Sequence, residues 1–325
     1  MVIWKTLAVD RQRLERKGAF GRFFLYCAQM NFARKIPASF FAHAAYGLLR
    51  LCGWKRKTVY ANLHHVRFKA VVANNDVTVG EFESRESCEK FYRELLRNLT
   101  RHASELLFCF GTFKKLPHDV SAYPCRIDGW NFDLAPGAAE TLEKMRHGGI
   151  FLTAHYGNYE AMGPWLCRLG IPLVASYIPV KPAWLNRILE SRIRAVDGRS
   201  YSVNARTPRE FMRLLGDGKL FCLLADQDSR IPSAMDGTFM GCPVKNNPLP
   251  DFLMKHKPKT PVFFCWIEES QGKRILHAED VAVQLQASLL DLHYNAWLES
   301  RIAENPALWY GFTHRRFYSK NPEIY

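Results

Sequence analysis

The sequence predicts an α/β fold: a largely parallel central sheet flanked by helices, preceded by a basic, hydrophobic, membrane-associated helical segment. Three observations carry that expectation. Short, continuously apolar runs alternate with stretches of helical periodicity, the rhythm of buried parallel strands and their crossover helices. The 325 residues are 48% hydrophobic and 23% charged, enough apolar material for one large domain or two small ones. The positive charge is concentrated at one end of the chain, next to large aromatic side chains.

Residues 1–60 hold twelve Lys or Arg against Asp10 and Glu15, so they carry +10 of the overall +14. Phe20, Phe23, Phe24, Phe40, Phe41 and Trp54 lie among those charges. Basic and aromatic residues together suit a segment lying in a membrane interface; a core helix with a basic outer face is the alternative. The longest run free of Lys, Arg, Asp and Glu, residues 36–49, is fourteen long, short of the roughly 20 needed to span a bilayer. Arg34-Lys35 interrupts the apolar stretch, which argues against a cleaved signal peptide. The expectation is a monotopic anchor over residues 1–60 and an α/β domain over 61–325.

Within that domain, Phe91, Leu95, Leu99, Ala103, Leu106 and Phe110 recur at three- and four-residue steps and predict a helix over 86–110. A second helix is expected over 137–147, stopped by Gly148-Gly149, and a buried strand over 150–154. A strand over 171–177 and a helix over 183–196 follow. Thr207-Pro208-Arg209-Glu210 is a capping box with Pro at the first helical position. Strands over 220–225 and 261–267 and a helix over 284–304 complete the pattern.

The charge surplus points to a polyanionic partner: nucleic acid, an anionic membrane, an acidic carrier protein or a phosphorylated ligand. Nucleic acid is disfavoured, because no zinc-finger spacing or RNP-like motif accompanies the charge. The nine cysteines are scattered with no C-x-x-C pair, which argues against a disulfide scaffold and a zinc ribbon and fits reduced thiols in a cytosolic setting.

Ligands of such sheets gather at the carboxyl ends of strands, and two polar clusters fall there. In the first, His155-Tyr156-Gly157-Asn158-Tyr159-Glu160, a carboxylate at a helix start can reach back across the turn to the imidazole. That pairing makes His155 a general base for a hydroxyl, although the spacing equally admits a structural histidine. In the second, Asp226-Gln227-Asp228, ordinary loop and cap chemistry is the alternative. A third cluster, His314-Arg315-Arg316-Phe317 after Trp309, reads as a solvated surface or a phosphate contact. A metal centre built from His147, His155 and Asp226 is a rival reading, but no H-x-x-x-H or H-x-H pair supports it.

Taken in order, these clusters resemble the bacterial lipid A biosynthesis (lauroyl/myristoyl) acyltransferase family. The carrying matches are Asn62-Leu63 with Phe68, the glycine-led strand into His155 and Glu160, the R-x-R pair Arg192 and Arg194, Asp226-Gln227, and Trp309 with His314 to Phe317. The chain departs from the family pattern at Phe239-Met240-Gly241 and Asn246-Asn247-Pro248-Leu249-Pro250. The resemblance implies a membrane-associated O-acyltransferase at the cytoplasmic face of the inner membrane, peripheral or monotopic. It would move an acyl chain from acyl carrier protein or acyl-CoA to a hydroxyl of an anionic glycolipid, with no cofactor or metal. His155 would be the base and Glu160 its partner. Gly157 and Asn158 would offer backbone donors to the oxyanion, while Arg192, Arg194, Arg315 and Arg316, with Asp226 and Gln227, would contact substrate. Another glycolipid or a lysophospholipid as acceptor, or a non-catalytic lipid binder, are the alternatives.

Overall fold

The computed structural model describes residues 38–325 except 67, 73–74, 80–81, 83, 178–182, 189, 191–193, 204–206 and 284–287. Residues 1–37 and Arg192 therefore lie outside the described residues, and with them most of the expected anchor.

The centre is an eight-stranded sheet: β1 (Cys125–Ile127), β2 (Trp130–Leu134), β3 (Gly149–Thr153), β4 (Leu173–Ser176), β5 (Ser202–Val203), β6 (Leu220–Leu224), β7 (Val262–Ser270) and β8 (Lys273–Val281), in the order β1-β2-β8-β7-β3-β6-β4-β5. Strands β7, β3, β6, β4 and β5 are mutually parallel. The β7–β8 hairpin and β1–β2 add antiparallel pairs at one side. The apolar runs that predicted β3, β4, β6 and β7 are continuous because both faces are covered. Ile150, Leu152, Phe221, Leu223 and Phe264 point into one core, and Phe151, Cys222, Phe263 and Cys265 into the other.

Eight helices concern the site: α1 (Ala38–Leu51), α2 (Arg56–His65), α3 (Arg85–Phe108), α4 (Ala138–Met145), α5 (Tyr159–Arg168), α6 (Pro208–Gly216), α7 (Leu249–His256) and α8 (Asn295–Glu304). Helices α2, α3, α6, α7 and α8 fill the first core, whereas α4 and α5 fill the second with Leu142, Met145, Met162 and Trp165. Each large apolar side chain buried this way contributes roughly 1.5–3 kcal/mol relative to exposure. The capping box of α6 forms as expected: Thr207 N donates to Glu210 Oε2 at 2.8 Å and Glu210 N to Thr207 Oγ1 at 3.3 Å. Gly148 is needed where α4 turns into β3, since its φ is +86° and a Cβ would stand 2.6 Å from Gly218 O.

Two expectations need correction. Of the helix expected over 183–196, Ala183–Ile188 is helical, residues 189 and 191–193 lie outside the described residues, and Ala195–Val196 is instead a strand paired with Arg199–Ser200. Of the helix expected over 284–304, residues 284–287 lie outside the described residues, and a π-helical turn, Leu289–Tyr294, precedes α8. Helix α2 runs across residue 60 and buries Val59 and Leu63 in the main core, so the basic segment and the α/β domain share an element. Helix α1 has no buried residue, leaves Phe40, Leu48 and Leu51 exposed, and stacks Phe41 on Phe108 of α3 at 4.0 Å. No helix among the described residues is long and apolar enough to cross a membrane.

Candidate active site

Strand register builds the site. Leu224 of β6 pairs with Thr153 of β3 in a parallel ladder, so the residues two positions beyond them, Asp226 and His155, leave the same carboxyl edge side by side. Asp226 Oδ1 accepts from His155 Nδ1 at 2.8 Å, and Oδ2 accepts from His155 N at 3.0 Å and from Trp309 Nε1 at 2.9 Å. The carboxylate is fully buried and the imidazole partly so. Burial opposes the charged form of each, but the mutual attraction and shared hydrogen bonds prevail. The His155 pKa is raised above its ordinary value, with Glu160 adding a smaller push, and that of Asp226 falls to about 2. With Nδ1 engaged, Nε2 is left as the basic nitrogen.

This replaces the expected pairing of His155 with Glu160. Glu160 sits in the first turn of α5, and its Oε1 accepts from Arg194 Nη2 at 2.9 Å. The Arg194 guanidinium also covers the Tyr177 ring at 4.9 Å. Glu160 thus acts on His155 through space, and Asp226 occupies the hydrogen-bonding role.

The turn after His155 is pinned from the carboxyl-terminal segment. Tyr310 N donates to His155 O at 2.8 Å and Gly157 N to Leu308 O at 2.9 Å. Gly157 has φ +57° and a Cβ there would lie 3.3 Å from Ile267 O. Asn158 is buried, and its Nδ2 donates to Glu105 Oε2 at 3.1 Å. The Gly157 N–H is therefore already committed and is not an oxyanion donor; the Asn158 side chain holds the turn to α3. Gln227 is exposed, and its Nε2 stands 3.5 Å from His155 Nε2.

The adjacent arginines divide. Arg315 is exposed, its guanidinium over the rings of Tyr318 and Tyr325. Arg316 is 1% exposed, and donates to Gln227 O at 3.1 Å, Lys245 O at 2.8 Å and Asn246 Oδ1 at 2.6 Å. It braces the Gln227 loop and is not a substrate ligand. His147 stands exposed just before β3, at its opposite end from His155, so the two cannot share an ion. His102, Glu105 and Glu269 do bring ligand atoms within 4.8 Å of one another. Arg101 lies 2.5 Å from Glu269 and Arg274 3.0 Å from Glu105, so both carboxylates are ion-paired.

A cavity of about 1090 Å³ opens beside the imidazole. Its polar lining includes His155, Glu160, Arg194, Gln227, Asp228 and Arg230, and its apolar lining includes Leu173, Ala175, Phe211, Leu223, Leu249 and Phe252. A base held by a carboxylate, a side-chain amide beside it and a cavity with an apolar wall can deprotonate a polar group next to an apolar substrate chain. Sequence reasoning missed three neighbours: Trp309 as a ligand of Asp226, Tyr159 with its ring 5.0 Å from His155, and His314 with its ring at 5.7 Å. The only signal for them was their place inside clusters already singled out. No protein-family model matches the sequence, and no curated protein matches it.

Proposed function

We propose that the protein is an O-acyltransferase that moves a fatty acyl chain from a thioester to a hydroxyl of an anionic membrane glycolipid of the lipid A precursor type. The observation that carries this reading is the His155–Asp226 pair at the mouth of an apolar cavity large enough for an acyl chain. His155 Nε2 takes the acceptor hydroxyl proton as the oxygen attacks the thioester carbon. Asp226 holds the ring in the tautomer that leaves Nε2 basic and stabilises the imidazolium that forms. The Gln227 amide, beside Nε2, is the side-chain donor placed to meet the carbonyl oxygen as it gains charge. When the C–S bond breaks, His155 returns the proton to the departing thiolate, so the ring ends as it began. The Glu160–Arg194 pair gives the cavity mouth its polarity and orients the donor.

The acyl donor is acyl carrier protein or acyl-CoA, and the +14 charge suits either as well as an anionic lipid. Exposed Phe40, Leu48 and Leu51 on α1 suit a peripheral or monotopic position on the cytoplasmic face of the inner membrane. The test is lipid mass spectrometry on membranes incubated with the full chain and a mixture of acyl donors, with His155→Ala in parallel. One lipid gaining a single acyl mass with wild type alone is the expected result. No gain from any donor, with the source organism's own lipids present, would reject the reading.

A further inference from the structure

His314 is the part of the third sequence cluster that the reaction above does not use. Its position is fixed as firmly as that of His155. Its backbone N donates to Gly311 O at 2.9 Å, and its carbonyl accepts from Asn62 Nδ2 of α2 at 2.8 Å. The turn before it is tied to the reacting histidine through Tyr310 N and His155 O at 2.8 Å. The two imidazole rings lie 5.7 Å apart at 43°. Yet the ring nitrogens of His314 have no hydrogen-bond partner among the described residues, and the side chain is only part-buried.

His314 does not line the apolar cavity, whereas His155 does. The reacting imidazole therefore neighbours both the cavity, which it lines, and His314, which does not line it. The chain beyond His314 is basic. Exposed Lys55 acts on it electrostatically, and exposed Arg315 follows it. Lys55 in turn begins α2, four residues after Leu51, the most exposed large apolar side chain at 88%. Apolar contact with a membrane, a cation for a phosphate and a free imidazole thus succeed one another from α1 towards His155.

We propose that His314 is the acceptor-binding residue, hydrogen-bonding the phosphorylated saccharide head group beside its reacting hydroxyl. This rests on the acyl-transfer reading above. Burial, the charge on His155 and that of Lys55 hold the His314 pKa down against the pull of Asp226. A neutral imidazole offers one N–H and one lone pair, the pair of functions a sugar hydroxyl needs. It also adds no positive charge next to His155 when that ring takes its proton.

The experiment is steady-state transfer from a lauroyl thioester to a purified lipid A precursor, with donor and acceptor each varied, for wild type, His314→Ala and His314→Gln. Loss of one neutral hydrogen bond predicts an acceptor KM raised about tenfold in His314→Ala. The donor KM is expected to stay within twofold. Gln keeps one donor and one acceptor near the same position and is expected to restore most of the acceptor affinity. Thermal unfolding of both variants checks that the fold is kept. An unchanged acceptor KM in His314→Ala would overturn the assignment. So would a parallel rise in donor KM, or a failure of both variants to fold, since either makes the residue structural. Absence of transfer by wild type would instead reject the acyl-transfer reading, and the assignment with it.

Discussion

Replacing Asp226 by Asn separates the two carboxylates near His155. The substitution keeps the shape of a fully buried side chain that receives three N–H donors, at 2.8, 2.9 and 3.0 Å. An amide has one acceptor oxygen, so at least one of those donors meets an NH2 group. With the amide oxygen at the Oδ2 position two of the three bonds are kept and the NH2 faces His155 Nδ1, which takes away the hydrogen bond that sets the tautomer; in either orientation the charge that stabilises the protonated ring is gone. A general base contributes about 100- to 10,000-fold, and a loss in that range is expected in kcat/KM; this corresponds to about 3–5 kcal/mol of barrier. The pH profile gives the more specific signature. In wild type the acid limb follows His155 and lies above the ordinary histidine value of about 6.5, because Asp226 outweighs burial. Without that charge, burial dominates and the limb moves to lower pH. Stability should respond in the matching window. The raised His155 pKa contributes fully below about 6.5 and is lost as pH rises through the folded value; the Asp226 contribution is complete above about 3.9 and lost as pH falls through about 2. The melting-temperature gap between wild type and Asp226→Asn should therefore be wider at pH 5.5 than at pH 9. An Asp226→Asn enzyme within tenfold of wild type with an unmoved acid limb, beside an inactive Glu160→Gln, would refute this account and make Glu160 the partner.

Four further outcomes are expected. His155→Ala should lower turnover at least about 100-fold, measured by thioester consumption in the presence of acceptor, and should also lower the melting temperature, because the buried Asp226 carboxylate loses its charged partner; near-normal turnover in the folded variant would remove His155 from the chemistry. Gln227→Ala should lower kcat by about 100- to 1,000-fold if its amide meets the developing oxyanion, and a rise in KM alone would place it in binding instead. Arg316→Met should cost about 3 kcal/mol in denaturant unfolding, because one buried and two part-buried acceptors lose their charged donor. Arg315→Ala should change stability by less than about 0.5 kcal/mol; equal effects would mean that the burial of Arg316 does not matter.

Local pattern was enough to read much of this chain. Runs such as Ile150-Phe151-Leu152 and Phe221-Cys222-Leu223 announce strands with both faces covered, and the Thr207 capping box marks a helix start, because each depends only on residues a few positions apart. His155 at a strand exit followed by a helix was legible for the same reason. The strands β1, β2 and β8 were not, since their side chains are mixed, half exposed and half buried, and what joins the two hairpins into one sheet is the non-local pairing of β8 with β2. What tertiary structure decided was which distant residues meet. Strand β6 inserts between β3 and β4, and that placement, 71 residues along the chain, makes Asp226 rather than Glu160 the partner of His155. Arg315 and Arg316 carry the same charge and adjacent numbers, yet only one is swallowed by the loops of Gln227 and Asn246. Sheet order and loop burial follow from how whole layers pack, and no local periodicity encodes them.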